Sequence, residues 1–182
     1  MLSGRPLRAS TLRRLINFWP PFLCNGIRVL ELADDWSRAT VRLGLHFWNR
    51  NYVGTQFGGN LFAMTDPWWM LLAMHRLGPR YLVWDKAGAI DFVAPGNADV
   101  YARFVLEESV IDELRAAAAD GSKVLRWFEV EVKTTDGTVV ARVRKQLYVR
   151  LKPNERPAAY VAAAAEGVSA AARPKSADAE SS

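Results

Sequence analysis

Hydrophobic and polar residues alternate with a period of two along several stretches of the chain. Ala39, Val41, Leu43 and Leu45 alternate with Arg38, Thr40, Arg42 and Gly44, the pattern of a strand with one buried face. Val100, Ala102, Phe104 and Leu106 alternate in the same way with Tyr101, Arg103 and Glu107. Near the C-terminal end, Val139, Ala141, Val143, Leu147 and Val149 share one face, and Arg142, Arg144, Gln146, Tyr148 and Arg150 share the other. Lys145 is the exception, a charge on the apolar side. Ile27–Leu32, Tyr81–Val93 and Val124–Thr134 are also β-compatible. Asp136-Gly137 signals a hairpin between Val124–Thr134 and Thr138–Leu151, while Asp34-Asp35 and Ala94-Pro95-Gly96-Asn97 read as turns.

Three helices interrupt these strands. Ser10 is expected to cap Thr11–Trp19, which Pro20-Pro21 ends. Ser109–Asp120 stops at Gly121, the residue expected just past a helix C-terminus. The third, Gly59–Leu77, carries Leu61, Phe62, Met64, Trp68, Trp69, Met70, Leu71, Leu72 and Met74 on every side, and a helix that is apolar all round is expected to be buried all round. The order is helix, two strands, buried helix, two strands, short helix, two strands. That is an α+β chain in which six strands cover one central helix.

Composition narrows the class. The chain has 182 residues, half of them hydrophobic, with seven Trp, too apolar for a disordered chain and of a length suited to one domain. Its longest apolar run, Pro67–Met74, falls far short of the roughly 20 residues a membrane helix needs. No secretory signal follows the basic start, and Cys24 has no cysteine partner, so a reducing cytoplasm is expected. Residues 153–182 are Ala-rich with a net charge of −1, and Ser176–Ser182 is expected to be disordered. The chain therefore divides into an N-terminal helix and loop (1–25), a folded domain (26–152) and a tail (153–182). The chain's net charge is +5, so the body carries +6. Arg5, Arg8, Arg13 and Arg14 fall within the first 14 residues, with no acid among them. Such an excess suits a phosphate-bearing ligand, nucleic acid or anionic lipid.

The densest chemical signal is Asn51–Asp66. Gly58 and Gly59 at a helix entrance permit close backbone approach and leave N–H groups without intrahelical partners, which stabilises an oxyanion or a phosphate. Asp66, two turns further among apolar residues, is expected to have a raised pKa and to serve as base or nucleophile. The competing reading makes Asp66 an N-cap with Pro67 as the first helical residue.

The pattern Asn51-x-x-Gly54-Thr55-x-Phe57-Gly58-Gly59, with an acid seven residues on, resembles hotdog-fold acyl-CoA thioesterases of the phenylacetate-pathway type. Ile90-Asp91-Phe92-Val93-Ala94-Pro95 and the Asp136-Gly137 hairpin extend the similarity over Gly26–Leu151. The resemblance implies a six-stranded antiparallel sheet wrapped around a long helix, and a homodimer or dimer of dimers with sites across the interface. It implies Asp66 as general base or nucleophile, Asn51 as the residue positioning water or the carbonyl, and the Gly59 N–H, beside Gly58, as oxyanion donor. Asp85 falls near a hydroxyl position of the relatives. Phe57 stands where relatives carry His, and Pro67 directly follows the acid, which removes a backbone bond and kinks a helix.

Further substrate contacts are expected at Thr55 in the loop, and at Arg142 and Arg144 toward coenzyme A phosphates, although the two arginines also read as a solvated strand face. Trp68-Trp69 reads as core. His46 and His75 have no partner at ligand spacing, so no metal is expected, nor any other cofactor. No nucleic-acid module is recognisable. The basic start, Arg5–Trp19, is read as packing on the sheet or capping the pocket in preference to lying on a membrane. The expected activity is hydrolysis of an acyl-CoA or related thioester. The alternative is a non-catalytic acyl or lipid binder, and a dehydratase lacks its His.

Overall fold

The computed structural model describes residues 7–162. Its strands are β1 (Ile27–Leu32), β2 (Arg38–Leu43), β3 (Tyr81–Phe92), β4 (Val100–Val105), β5 (Val124–Thr134) and β6 (Val139–Leu151). They form one six-stranded sheet in the order β1-β2-β4-β5-β6-β3, antiparallel at every pair. The hairpin at Asp136-Gly137 joins β5 to β6, with Gly137 at φ 89°, a left-handed value that favours glycine. The period-two stretches thus become strands, and the hotdog arrangement expected from the motif is present.

Pleating sorts the side chains. Val41, Val100, Ala102, Phe104, Val143, Leu147 and Val149 are buried on the helix-covered face, and Arg142 and Arg144 alternate onto the other. The helices are α1 (Ala9–Asn17), α2 (Pro20–Asn25), α3 (Gly58–Ala63), α4 (Trp68–Leu77) and α5 (Glu108–Ala117). Trp68 and Trp69 are core, as expected. The Trp68 indole N–H donates to the Met64 carbonyl at 2.8 Å, and Trp69 lies 4.8 Å from the Phe128 ring and 5.4 Å from that of Phe104.

Three helix expectations need correction. The single helix over Gly59–Leu77 is two helices, α3 and α4, separated by a turn at 64–67. Pro67 cannot donate to a carbonyl one turn back, so the ladder breaks there and restarts at Trp68. Nor is it buried all round, because Met74 is exposed and Met70 and Leu71 are half-buried. At the N-terminus, Arg8 takes the cap position of α1 without a side-chain bond, and Ser10 lies inside the first turn. Pro20-Pro21 opens α2 where it was expected only to close α1, since a proline in a first turn loses no bond. Finally, α5 ends at Ala117 and the chain turns to Gly121 at φ 90°.

The two sheet edges differ. At β1, Asn17 of α1 accepts a hydrogen bond from the Val29 N–H at 2.7 Å and donates one to the Val29 carbonyl at 3.2 Å. Arg13 donates to the Leu30 carbonyl at 2.8 Å. The β3 edge, 12 residues long, pairs only with β6. Residues 158–162 are helical, and the rest of the tail, including Ser176–Ser182, lies outside the described residues, as does Arg5.

Candidate active site

The loop between β2 and α3 owes its shape to Asn51. Its side-chain amide donates to the Thr55 hydroxyl at 2.8 Å and the Gln56 carbonyl at 3.4 Å. Its carbonyl oxygen accepts from the N–H groups of Val53 at 3.1 Å and Thr55 at 3.0 Å. An asparagine amide offers two donors and two acceptor sites, so all four are engaged within the loop. Asn51 is therefore the loop's organiser, and orienting a water would require giving up one of these bonds. Gln56, buried, fixes the loop to the sheet by donating to the carbonyls of Leu43 at 3.3 Å and Ala98 at 3.1 Å.

This loop and the start of α3 form one wall of a cleft of about 480 Å³, and Phe92–Gly96 form the other. Asn51, Thr55 and Gly58 line it. A Cβ on Gly58 would come within 2.8 Å of the Phe92 ring, and one on Gly59 within 2.5 Å of the Phe57 ring. A side chain at either glycine would have to push one exposed ring aside, Phe92 at Gly58 and Phe57 at Gly59, and the two N–H groups open α3 without intrahelical acceptors. Phe57 itself is exposed and lies against Gly59.

Asp66 lies elsewhere. It neither sits among apolar residues nor caps α4, whose cap position is Pro67. Its side chain is 57% exposed and accepts a 2.6 Å hydrogen bond from Lys145 Nζ. The burial expected at Asp66 is absent. Burial acts instead on Asp85. Desolvation pushes the Asp85 carboxyl above its ordinary value, Lys145 offsets this in part, and the Asp66 charge adds to the rise. Lys145 Nζ is 3.2 Å from Asp85 Oδ2, and Asp85 Oδ1 is buried without a hydrogen-bond partner.

Lys145 joins the two carboxylates, with its side chain 5% exposed. It reaches them because Gly88 is its neighbour across the β3–β6 ladder. A Cβ on Gly88 would stand 2.8 Å from the Phe62 ring and 3.1 Å from Lys145 Cδ. The ammonium also lies 5.1 Å from the Phe62 ring centroid, a cation–π distance. Lys145 is the residue that assignment of roles by motif passes over. Its signal in the sequence is the single charge on the apolar face of the last strand.

Within one chain, the cleft and the Asp66–Lys145–Asp85 cluster are separate: none of these three residues lines the cleft. Both border β3, the cleft through Phe92 and the cluster through Asp85 and Gly88. Arg142 and Arg144 join neither. Arg142 pairs with Glu131 at 3.1 Å and Arg144 lies 5.9 Å from the Trp127 ring, both on the solvent face. Neither lines the cleft, because pleating turns them away from the helices.

The family described as Domain of unknown function (DUF4442) matches residues 8–149. No curated protein is detectably similar to the chain in sequence. Among solved structures, a Pseudomonas aeruginosa protein of unknown function described as a probable thioesterase is 21% identical, with a TM-score of 0.72 over 81% of this chain and 98% of its own. A thioesterase from Haemophilus influenzae is 13% identical, with a TM-score of 0.58 over 83% of this chain and 96% of its own. The E. coli PaaI protein of the phenylacetic acid degradation operon is 16% identical, with a TM-score of 0.55 over 79% and 92%. At these identities the likeness establishes the fold. The chain belongs to the family described as Domain of unknown function (DUF4442), and its fold is the hotdog fold of thioesterase-type proteins.

Proposed function

We propose that the protein hydrolyses an acyl thioester, such as an acyl-CoA, at a site completed by a second copy of the chain. The observation that carries this reading is the position of two half-sites along one free strand edge. Phe92, at the end of β3, lines the cleft, and the carboxylate cluster is built around Asp85 and Gly88. Two β3 strands pairing antiparallel about a two-fold axis near Gly88 would set Phe92 of one copy opposite Trp84, beside Asp85, of the other. Each cleft would then face the partner's Asp66, Asp85 and Lys145.

In such a site Asp66 takes a proton from water as the water oxygen bonds to the thioester carbonyl carbon. The oxyanion is held by the Gly59 N–H, beside Gly58. Collapse of the intermediate breaks the C–S bond, and the departing thiolate receives the proton from Asp66, giving a carboxylic acid and a thiol. Lys145 fixes the Asp66 carboxylate in place. Asn51 acts through the loop that carries Thr55, not directly on water.

Hydrolysis of a panel of acyl-CoAs tests the reading. Wild type is expected to turn over at least one chain length, and Asp66→Ala to lose about 10²- to 10⁴-fold, the range of a general base. Inactivity of the wild type on every chain length ends the enzymatic reading. The Phe57 ring against Gly59 and the full engagement of Asn51 favour a second reading, an acyl binder without turnover. Tight binding of a fatty acyl ligand by an inactive wild type is its signature.

A further inference from the structure

We propose that the face made by α1, α2 and the start of the loop after β2 docks on an anionic lipid bilayer surface. Helix α1 buries Ala9 and Ile16 against β1 and directs Leu15 outward. The chain then exposes Phe18 (75%) and Trp19, α2 exposes Leu23, and the loop exposes Phe47 and Trp48. Phe18, Leu23 and Trp48 are contiguous, because they line one groove with Arg28, and the Phe47 ring lies 5.0 Å from that of Trp48. A neighbouring groove joins Phe18 to Arg14 and Arg28.

Charge decides what covers this face. Residues 1–30 contain five arginines and no acid, and residues 41–65 contain Arg42 and Arg50 and no acid. Arg42 is neutralised by Asp99. Arg8, Arg14 and Arg28 form no ion pair among the described residues. Exposed aromatic and aliphatic groups beside unpaired arginines fit the boundary between acyl chains and anionic headgroups, where Trp and Phe insert and basic residues meet negative charge. Among the described residues no helix is long and apolar enough to cross a membrane, so the association is interfacial. The face lies at the β1 side of the sheet, at the edge opposite β3, and is independent of the hydrolase reading.

Co-sedimentation of the full chain with vesicles of phosphatidylcholine, with and without phosphatidylglycerol, tests the proposal. The protein is expected to sediment with the phosphatidylglycerol vesicles, to do so weakly with phosphatidylcholine alone, and to be released by salt. Arg14→Gln and Arg28→Gln should each lower the partition coefficient about fivefold, the worth of one basic residue at such a surface. Phe18→Ala and Trp48→Ala should lower it as well, with unchanged circular dichroism and melting temperature showing that the fold is intact. Absence of sedimentation with phosphatidylglycerol vesicles overturns the proposal. So does sedimentation that the four variants leave unchanged. A fall in native mass in Phe18→Ala or Trp48→Ala with vesicle binding intact makes the face a contact between copies, and also overturns it.

Discussion

The two edges of the sheet solve the same problem in opposite ways. An edge strand presents unpaired N–H and C=O groups and invites another strand. At β1 the problem is solved within the chain, where Asn17 satisfies both backbone groups of Val29 and Arg13 takes the Leu30 carbonyl. At β3 it is left open along a strand that includes Ala87, Gly88 and Ala89. Small residues let a second backbone approach closely, and the Asp66–Lys145–Asp85 cluster sits against the same stretch. The covered edge secures the fold, and the open edge is where chemistry can be shared.

The sharpest break of this comparison is the insertion of proline in β3. Neighbouring residues of an edge strand face their N–H groups to opposite sides. Of Gly88→Pro and Ala89→Pro, one therefore severs a bond to β6 and the other touches only the free side. The first is expected to unfold the protein. The second should still fold, and on the proposed β3–β3 pairing its native mass, measured by light scattering, should fall from about twice 20.4 kDa to the monomer value.

Lys145→Met comes next, because it leaves Asp85 half-buried with no counter-charge. Unfolding free energy in urea at pH 7 should drop by about 3 kcal/mol, the cost of stranding one partner of a buried pair. The pH dependence has a definite sign. Asp85 has a folded-state pKa raised above its unfolded value. Its contribution is therefore favourable below the unfolded pKa and is lost as pH rises through the folded one. The Lys145→Met deficit should shrink as the pH is lowered.

At the covered edge the effects are smaller. Asn17→Ala removes both bonds to Val29 and should cost about 1–2 kcal/mol in the same assay, with native mass unchanged. The smallest effect belongs to the Arg42–Asp99 pair, between β2 and the turn before β4, in which both side chains are one-third exposed. Arg42→Ala should cost under about 1 kcal/mol. Burial works to raise the Asp99 carboxyl, but the Leu45 N–H and Arg42 outweigh it and hold the carboxyl below its ordinary value. Asp99 therefore contributes stability above its unfolded pKa, and that contribution fades as pH falls through the folded value.

Much of this was legible along the chain. Strands β1 and β5 start and stop where the apolar spacing predicts, because both follow from alternation and adjacent turn residues. Gly58-Gly59 marked a helix entrance, and Lys145 marked itself as a charge on an apolar face. Asp66 was harder, because Asp-Pro suits a helix interior with a kink and a helix start equally well. The structure adopts neither, and makes a turn in which the carboxylate reaches across to β6. The role of Asn51 was also hidden, since the four bonds that occupy its amide depend on how residues 51–56 curl.

By itself the sequence determined the six strands, the hairpin at Asp136-Gly137 and the tryptophans of the core. These follow from local periodicity and turn chemistry, which neighbouring residues settle among themselves. Only the tertiary structure decided which edge stays open, that Arg142 and Arg144 face away from the helices, and that Asp66 and Asp85 share Lys145. Those outcomes depend on strand order and register, which bring together residues as far apart as Asp66 and Lys145 and which no local pattern encodes.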